Sequence, residues 1–292
     1  MYAKTKFVVS MAIFGSIGLF SVKTGLPSIE LVFVRCLCAS ILLGTIWGFH
    51  TFKTKQKRKN VIPHQEYLIA LLCGVFLIIN WVFFFRSIEV LPITVAVSIY
   101  HLAPVIVLLL GSFIFKEKIT GTGLVFFFIC LLGTLLVGEI HQHSTIAEFL
   151  SSGVLLAFAA AFFYALTSIA GKGIQVLSPL LTTVIQTSLG VLLLMPLVNW
   201  SHFQHLTFEN WMYIVITGFI HTGLVFYLFF SSLRELKAQT IAVLVFVDPI
   251  VAILLDVTMM NYHPDVYQLL GILLVFIGIS YNPKKERGLE VA

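Results

Sequence analysis

Charge is what this sequence has least of. Asp, Glu, Lys and Arg make up 11% of its 292 residues, where a soluble domain carries about 25%. That is too little to clothe a surface in water, and it excludes an ordinary soluble domain. Cysteine is scarce as well: Cys36, Cys38, Cys73 and Cys130 all fall inside apolar runs, with no CxxC spacing. They read as small buried hydrophobes, neither disulfide partners nor metal ligands. Also missing are a P-loop, an aspartate-rich prenyl-binding motif, an HExxH and a GxSxG placed with histidine and acid partners. Those absences argue against an ATP-driven pump and leave no cofactor to expect. The net charge of +5 does not suggest nucleic acid, because the basic residues sit in short connectors and form no face.

What the chain has instead is apolar length. Hydrophobic residues make up 59% of it, and its mean hydropathy is +1.02, the composition of an integral membrane protein. A membrane-crossing helix needs about 20 apolar residues. Ten runs fit: 7–22, 29–49, 67–86, 92–115, 120–138, 151–171, 179–198, 211–232, 238–258 and 267–281. The first run follows Lys4 and Lys6 as a signal peptide would, yet no A-x-A-like cleavage site comes after it. It is therefore expected to stay as a helix. Cytoplasmic loops collect lysine and arginine. With the N-terminus inside, all but Lys23, Arg35 and Arg86 of the 18 basic residues fall on the inner side. The connectors 139–150 and 199–210 hold none. The expected fold is thus an all-α integral membrane protein with ten transmembrane helices, N-in and C-in, in the cell membrane with lipid around it.

Two stretches organise the rest, Pro92–Thr120 and Ala238–Thr258. Shifting the first by 145 positions lays Pro104 on Pro249 and Gly133 on Gly278. A proline within a helix removes a hydrogen bond and crowds the carbonyl four residues back, here those of Tyr100 and Val245. Non-helical backbone at membrane depth survives only inside protein or along a wet cavity. Matching breaks in two halves mark a transport site near the midplane. Five helices per half is an odd number, so the second half enters from the opposite side, which makes a 5+5 inverted repeat.

The residues also carry a likeness to a known family. Phe14–Ser16 (FGS), Phe33–Ser40 (FVRCLCAS), Leu102–Thr120 (LAPVIVLLLGSFIFKEKIT) and Ala161–Lys172 (AFFYALTSIAGK) together resemble the EamA-type ten-helix members of the drug/metabolite transporter superfamily. Phe14 stands where that family usually has tryptophan. The position matching Glu117 in the second half is Tyr262, followed by His263 and Pro264. The resemblance implies a first repeat over 1–138, an outer connector 139–150, a second repeat over 151–283 and a cytoplasmic tail 284–292. It also implies a carrier of small organic solutes, often an exporter of amino acids or related metabolites, working by alternating access.

Ionisable groups within a span are costly, so each is a functional candidate. Asp248 lies directly before Pro249, suited to take up a proton or to meet a substrate ammonium. The competing role is a cap on the broken helix. His101, three residues before Pro104, is suited to proton exchange or to bonding a carbonyl freed by that proline. His221, alone on an apolar helix, reads as a packing residue. Arg35 and Asp256 lie nearer the outer surface. Arg35 matches the family's structural arginine, with Glu30 a candidate partner in a snorkelling or gate-closing pair. Glu117 between Lys116 and Lys118 reads as local pairing in a tight turn, a structural or gating position with Pro104 and Pro249. Asn80, Trp81, Tyr100, Tyr164 and Tyr227 bring polar atoms to mid-membrane and would line a substrate cavity. Gly15, Ser16 and Gly18 in the first span and Ala157, Ala159, Ala160 and Ala161 in the sixth permit close helix approach.

The expectation is a secondary transporter exporting an amino acid or similar metabolite, with Asp248 or His101 exchanging a proton. Its rivals are an uncoupled facilitator and, from another class, a membrane enzyme using the His/Asp pair on a lipid-linked substrate.

Overall fold

An apolar chain in lipid must satisfy its backbone hydrogen bonds within each segment, and the helix does so. The structure, a computed structural model, describes residues 2–54, 62–90, 96, 99–117, 119–137, 152–259 and 265–279, and these form helices joined by short turns, with no strand among them. The connector 139–150, the tail 284–292, most of Pro92–Ser98, Lys55–Lys59, Lys118 and Tyr262–Pro264 lie outside the described residues, as does the side chain of Asp256.

In chain order the helices are α1 (Tyr2–Phe14), α2 (Ile17–Lys23), α3 (Ser28–Thr54), α4 (His64–Val90), α5 (Ala103–Phe115), α6 (Gly121–Val137) and α7 (Ser152–Gly173). Then come α8 (Pro179–Leu194), α9 (Phe208–Gly218), a π-helical turn (Phe219–Leu224), α10 (Val225–Leu233), α11 (Ala238–Leu244), α12 (Val247–Met259) and α13 (Val266–Ile279). Among the described residues, six stretches are long and apolar enough to cross a membrane: Tyr2–Lys23, Ser28–Phe49, His64–Val90, Gly153–Gly173, Pro179–Leu197 and Phe208–Leu233. Ala103–Phe115, Gly121–Gly133, Ala238–Ala252 and Val266–Gly278 are shorter apolar helices. Large apolar side chains such as Phe113, Leu155 and Leu269 are exposed on the outside, as lipid-facing side chains would be.

Local sequence explains where several helices begin. Ser178 accepts a hydrogen bond from the Leu181 amide, with Pro179 at the first helical position of α8. Thr207 and Asn210 form a reciprocal capping box at the start of α9. The family-like glycine and serine interrupt the first span: α1 stops at Phe14, and α2 resumes at Ile17.

Most of the helix packing joins residues before 138 to residues after 151. α4 packs most extensively on α7, α6 on α13, α3 on α8 and α1 on α10. The core therefore lies between the two parts of the chain, where Phe7, Met11, Trp81, Phe226, Phe229 and Phe230 meet.

The α6–α13 contact is reciprocal. A Cβ added at Gly133 would sit 2.6 Å from the Gly271 carbonyl oxygen, and one at Gly278 would sit 3.0 Å from that of Phe126. Between them the Cys130 thiol points at the Val275 carbonyl, 145 residues away. The early residues of each helix meet the late residues of the other, so the two run antiparallel. Gly44 and Gly48, by contrast, have nothing within 4 Å of an added Cβ among the described residues.

Candidate functional site

The two prolines do not sit in the interior of one long helix, as their place in apolar runs suggests. Pro104 falls in the first turn of α5, and α12 begins at Val247, two residues before Pro249. There the missing proline N–H is one that would have no helical partner anyway. The span expected over 238–258 is thus two helices meeting at a turn, and in the span expected over 92–115 a turn at His101 and Leu102 precedes α5. The Val245 carbonyl is not left free, because the Asp248 amide donates to it at 3.1 Å. The two turns face each other: the His101 ring stacks on Phe246 with centroids 6.2 Å apart and planes 14° from parallel.

Asp248 opens α12 at this crossing and is half-buried. A Cβ at Gly15 would reach the Asp248 carbonyl oxygen and Val251, so the break in the first span is what lets α1 close on α12. Among the described residues the Asp248 carboxylate has no hydrogen-bond or ion-pair partner. Tyr100 and Tyr164 stand within its electrostatic reach. Their rings meet at 5.5 Å. Asn80 donates to the Ala160 carbonyl at 2.7 Å and to the Tyr100 hydroxyl at 3.2 Å. That fixes both the α4–α7 packing and the phenol beside Asp248.

Arg35, on α3, is fully buried. Its Nε donates to the Thr222 hydroxyl at 2.9 Å. Its guanidinium carbon lies 4.7 Å from the Trp81 ring centroid and 5.1 Å from that of Phe85. Both Nη groups lack a hydrogen-bond partner among the described residues. Glu30 does not pair with it. That carboxylate instead accepts the Asn199 amide at 2.9 Å and meets His202 at 3.1 Å. Thr222 in turn donates its hydroxyl to the Thr217 carbonyl five residues back, within the π-helical turn. π-bulges recur at functional sites, and this one also turns the His221 Nε2 to 2.8 Å from the Ser16 hydroxyl. His221 thereby ties the break in the first span to the bulge.

At one end of the bundle Glu117 does not pair locally with Lys116. Lys116 takes the left-handed conformation, φ 52°, that ends α5. Glu117 then reaches Lys172 at 3.0 Å and accepts the Ala238 amide at 2.8 Å. Lys172 also donates to the Leu236 carbonyl. One carboxylate thus fastens the end of α7 to the start of α11.

A profile of the EamA-like transporter family matches residues 4–138 and again 151–282. The chain belongs to that family. It is also 47% identical over 287 residues to the "Uncharacterized transporter YxxF" of Bacillus subtilis (strain 168), covering 98% of this chain and 91% of that protein. A solved structure described only as "Crystal structure of protein" shares the fold at TM-score 0.79 and 17% identity, over 95% of this chain and 96% of its own. Family membership and six apolar helices make this a multi-pass membrane transporter, and such proteins take small-molecule substrates.

Of the residues singled out from the sequence, the EamA-like fold brings Asn80, Trp81, Tyr100, Tyr164, Asp248 and Arg35 into one region, with His101 at the adjoining turn. Tyr227 shares none of these contacts, because α10 turns Phe226, Phe229 and Phe230 to the core and leaves Tyr227 half-buried. The sequence does not single out Thr222 or Ser16 as polar contributors to the site. A threonine or serine in an apolar run gives no sign of which distant group it will meet.

Proposed function

We propose that this transporter exports amino acids or related small metabolites across the cell membrane by alternating access, in exchange for protons. Asp248 carries the reading: a half-buried carboxylate without a partner among the described residues, at the turn that faces the one before α5. Such a group is placed to alternate between a proton and a substrate. His101, at the facing turn, is the second exchange candidate, with Asn80, Trp81, Tyr100 and Tyr164 as lining. Pro104, Pro249 and Glu117 would serve the movement.

We further propose a ten-helix 5+5 inverted repeat, N-in and C-in, with repeats over 1–138 and 151–283. The family profile matching twice supports it. So do the reciprocal contacts of α6 and α13, whose residue pairs exchange under the 145-residue shift while the helices run antiparallel. A two-fold axis lying in the membrane plane produces that pattern. His101 stacked on Phe246, its own counterpart under the same shift, lies where such an axis would pass.

The test is uptake and counterflow of a labelled amino-acid pool in proteoliposomes, with and without an imposed proton gradient. Accumulation that follows the gradient, and is lost in Asp248→Asn, is expected. Exchange that ignores the gradient would make the protein an uncoupled facilitator, and no movement of any amino acid would overturn the substrate class.

A further inference from the structure

We infer that Arg35 holds a compact monovalent anion, of which chloride is the simplest, where α3 packs on the π-helical turn. The site does not depend on what the transporter carries.

The first ground is a cation held away from water. Arginine in a span can extend its head toward the membrane surface, but Arg35 is 0% exposed. The Thr222 hydroxyl gives its one proton to the Thr217 carbonyl at 3.0 Å, so it can only accept from the Arg35 Nε, at 2.9 Å. That chain ties the guanidinium to residues 217–222. The helix carrying Arg35 lies along the same stretch, since a Cβ added at Gly218 would meet the Cys38 side chain and sit 3.6 Å from the Val34 carbonyl oxygen. The Trp81 and Phe85 rings lie 4.7 and 5.1 Å from the guanidinium carbon. Such rings favour a cation nearby without taking up its N–H donors.

The second ground is an unmet demand. Both Arg35 Nη groups are buried without a hydrogen-bond partner among the described residues, and so is the Thr217 hydroxyl on the neighbouring stretch. Burying an ion is costly unless it is paired and hydrogen-bonded. The protein's own carboxylates serve other groups. Glu30 serves Asn199 and His202. Glu66 accepts the amides of Gln175, Val176 and Leu177. Glu89 takes Arg86, and Glu117 takes Lys172. Among the described residues no carboxylate forms an ion pair with Arg35. A diffusible anion meets the demand.

The cation also sets the class of anion. One positive charge is balanced by one negative charge, whereas sulfate or phosphate would bring a second and a larger cost of dehydration. Full burial of the guanidinium selects a small ion. The two Nη groups form a fork that fits a planar carboxylate, so chloride and a carboxylate as small as formate share the required chemistry. An anion held there binds the folded chain and not the unfolded one, and it therefore stabilises the contact between α3 and the π-helical turn by mass action.

The experiment uses the full-length chain in detergent, carrying Trp47→Phe, Trp200→Phe and Trp211→Phe. Of the four tryptophans that leaves Trp81, 5% exposed and beside the guanidinium, where a bound bromide quenches its fluorescence. With gluconate keeping the ionic strength constant, bromide quenching is expected to saturate. Chloride at about ten times its own half-saturating concentration should raise the bromide half-point about elevenfold, as competition for one site requires. Chloride in place of gluconate should also raise the melting temperature of the chain with all its tryptophans. Competition by chloride identifies a free halide as the occupant and competition by formate alone a carboxylate group; either supports the site. Arg35→Met should lose the saturable quenching while still unfolding cooperatively. Quenching that rises linearly with bromide, together with a melting temperature indifferent to chloride, overturns the proposal, and that answer needs no Arg35 variant. Saturable quenching that survives Arg35→Met overturns it as well. So does saturable quenching that appears only in Asp256→Asn, since that carboxylate would then be the partner of Arg35.

Discussion

Asn80 shows how much one polar side chain can hold in place. It is wholly buried and joins the Ala160 carbonyl of α7 to the Tyr100 hydroxyl. Removing it leaves a carbonyl without its donor in the interior, a loss of about 1–3 kcal/mol. Asn80→Ala should therefore lower the detergent-solubilised melting temperature, and transport should fall with it as Tyr100 loses its anchor. Tyr227→Phe is the contrasting case. Its hydroxyl makes none of the contacts that build the site, so transport rate and apparent affinity should stay within about twofold of wild type. A larger change would put Tyr227 back among the substrate-lining groups. Both residues are tyrosine or amide side chains in apolar runs, and the sequence treats them alike. What separates them is the helix face, set by the core-facing Phe226, Phe229 and Phe230.

Among the helices, α6 and α13 approach as closely as their glycines allow. Gly133→Leu would drive a side chain into the Gly271 carbonyl and Val275. Overpacking of that kind costs about 1–3 kcal/mol or more, and thermal unfolding should register it. Gly44→Ala on α3 should be neutral or slightly stabilising, since an added methyl there meets nothing and alanine is the better helix former. The pairing of Glu117 with Lys172 belongs to this scale too, because it fastens the ends of α7 and α11. The pair is largely buried, with side-chain exposures of 20% and 11%, so a double-mutant cycle of Glu117→Gln and Lys172→Met should give a coupling of about 0.5–3 kcal/mol. Glu117→Gln should also speed hydrogen exchange in residues 238–244, whose first amide it caps. Unchanged exchange there would mean that the carboxylate does not hold α11.

At the scale of the whole molecule, the sequence by itself determined what depends on composition and order along the chain. Low charge and long apolar runs required helices in a membrane, because lipid offers the backbone no other partner. The paired prolines marked where helices break. The motifs of Phe14–Ser16, Phe33–Ser40 and Leu102–Thr120 pointed to the family that the profile match then established. Hydropathy could not tell a proline that kinks a helix from one that begins a new one, and Pro104 and Pro249 proved to be the second kind. Nor could it find partners across the bundle. Arg35 has Glu30 five residues before it and Glu117 has lysines on both sides, yet tertiary packing sends Glu30 to His202 and Glu117 to Lys172. Residues five apart on a helix point in different directions, whereas helices far apart in sequence can lie side by side. Only the packed bundle decides which charges meet, and it leaves both Arg35 Nη groups and the Asp248 carboxylate without a partner among the described residues.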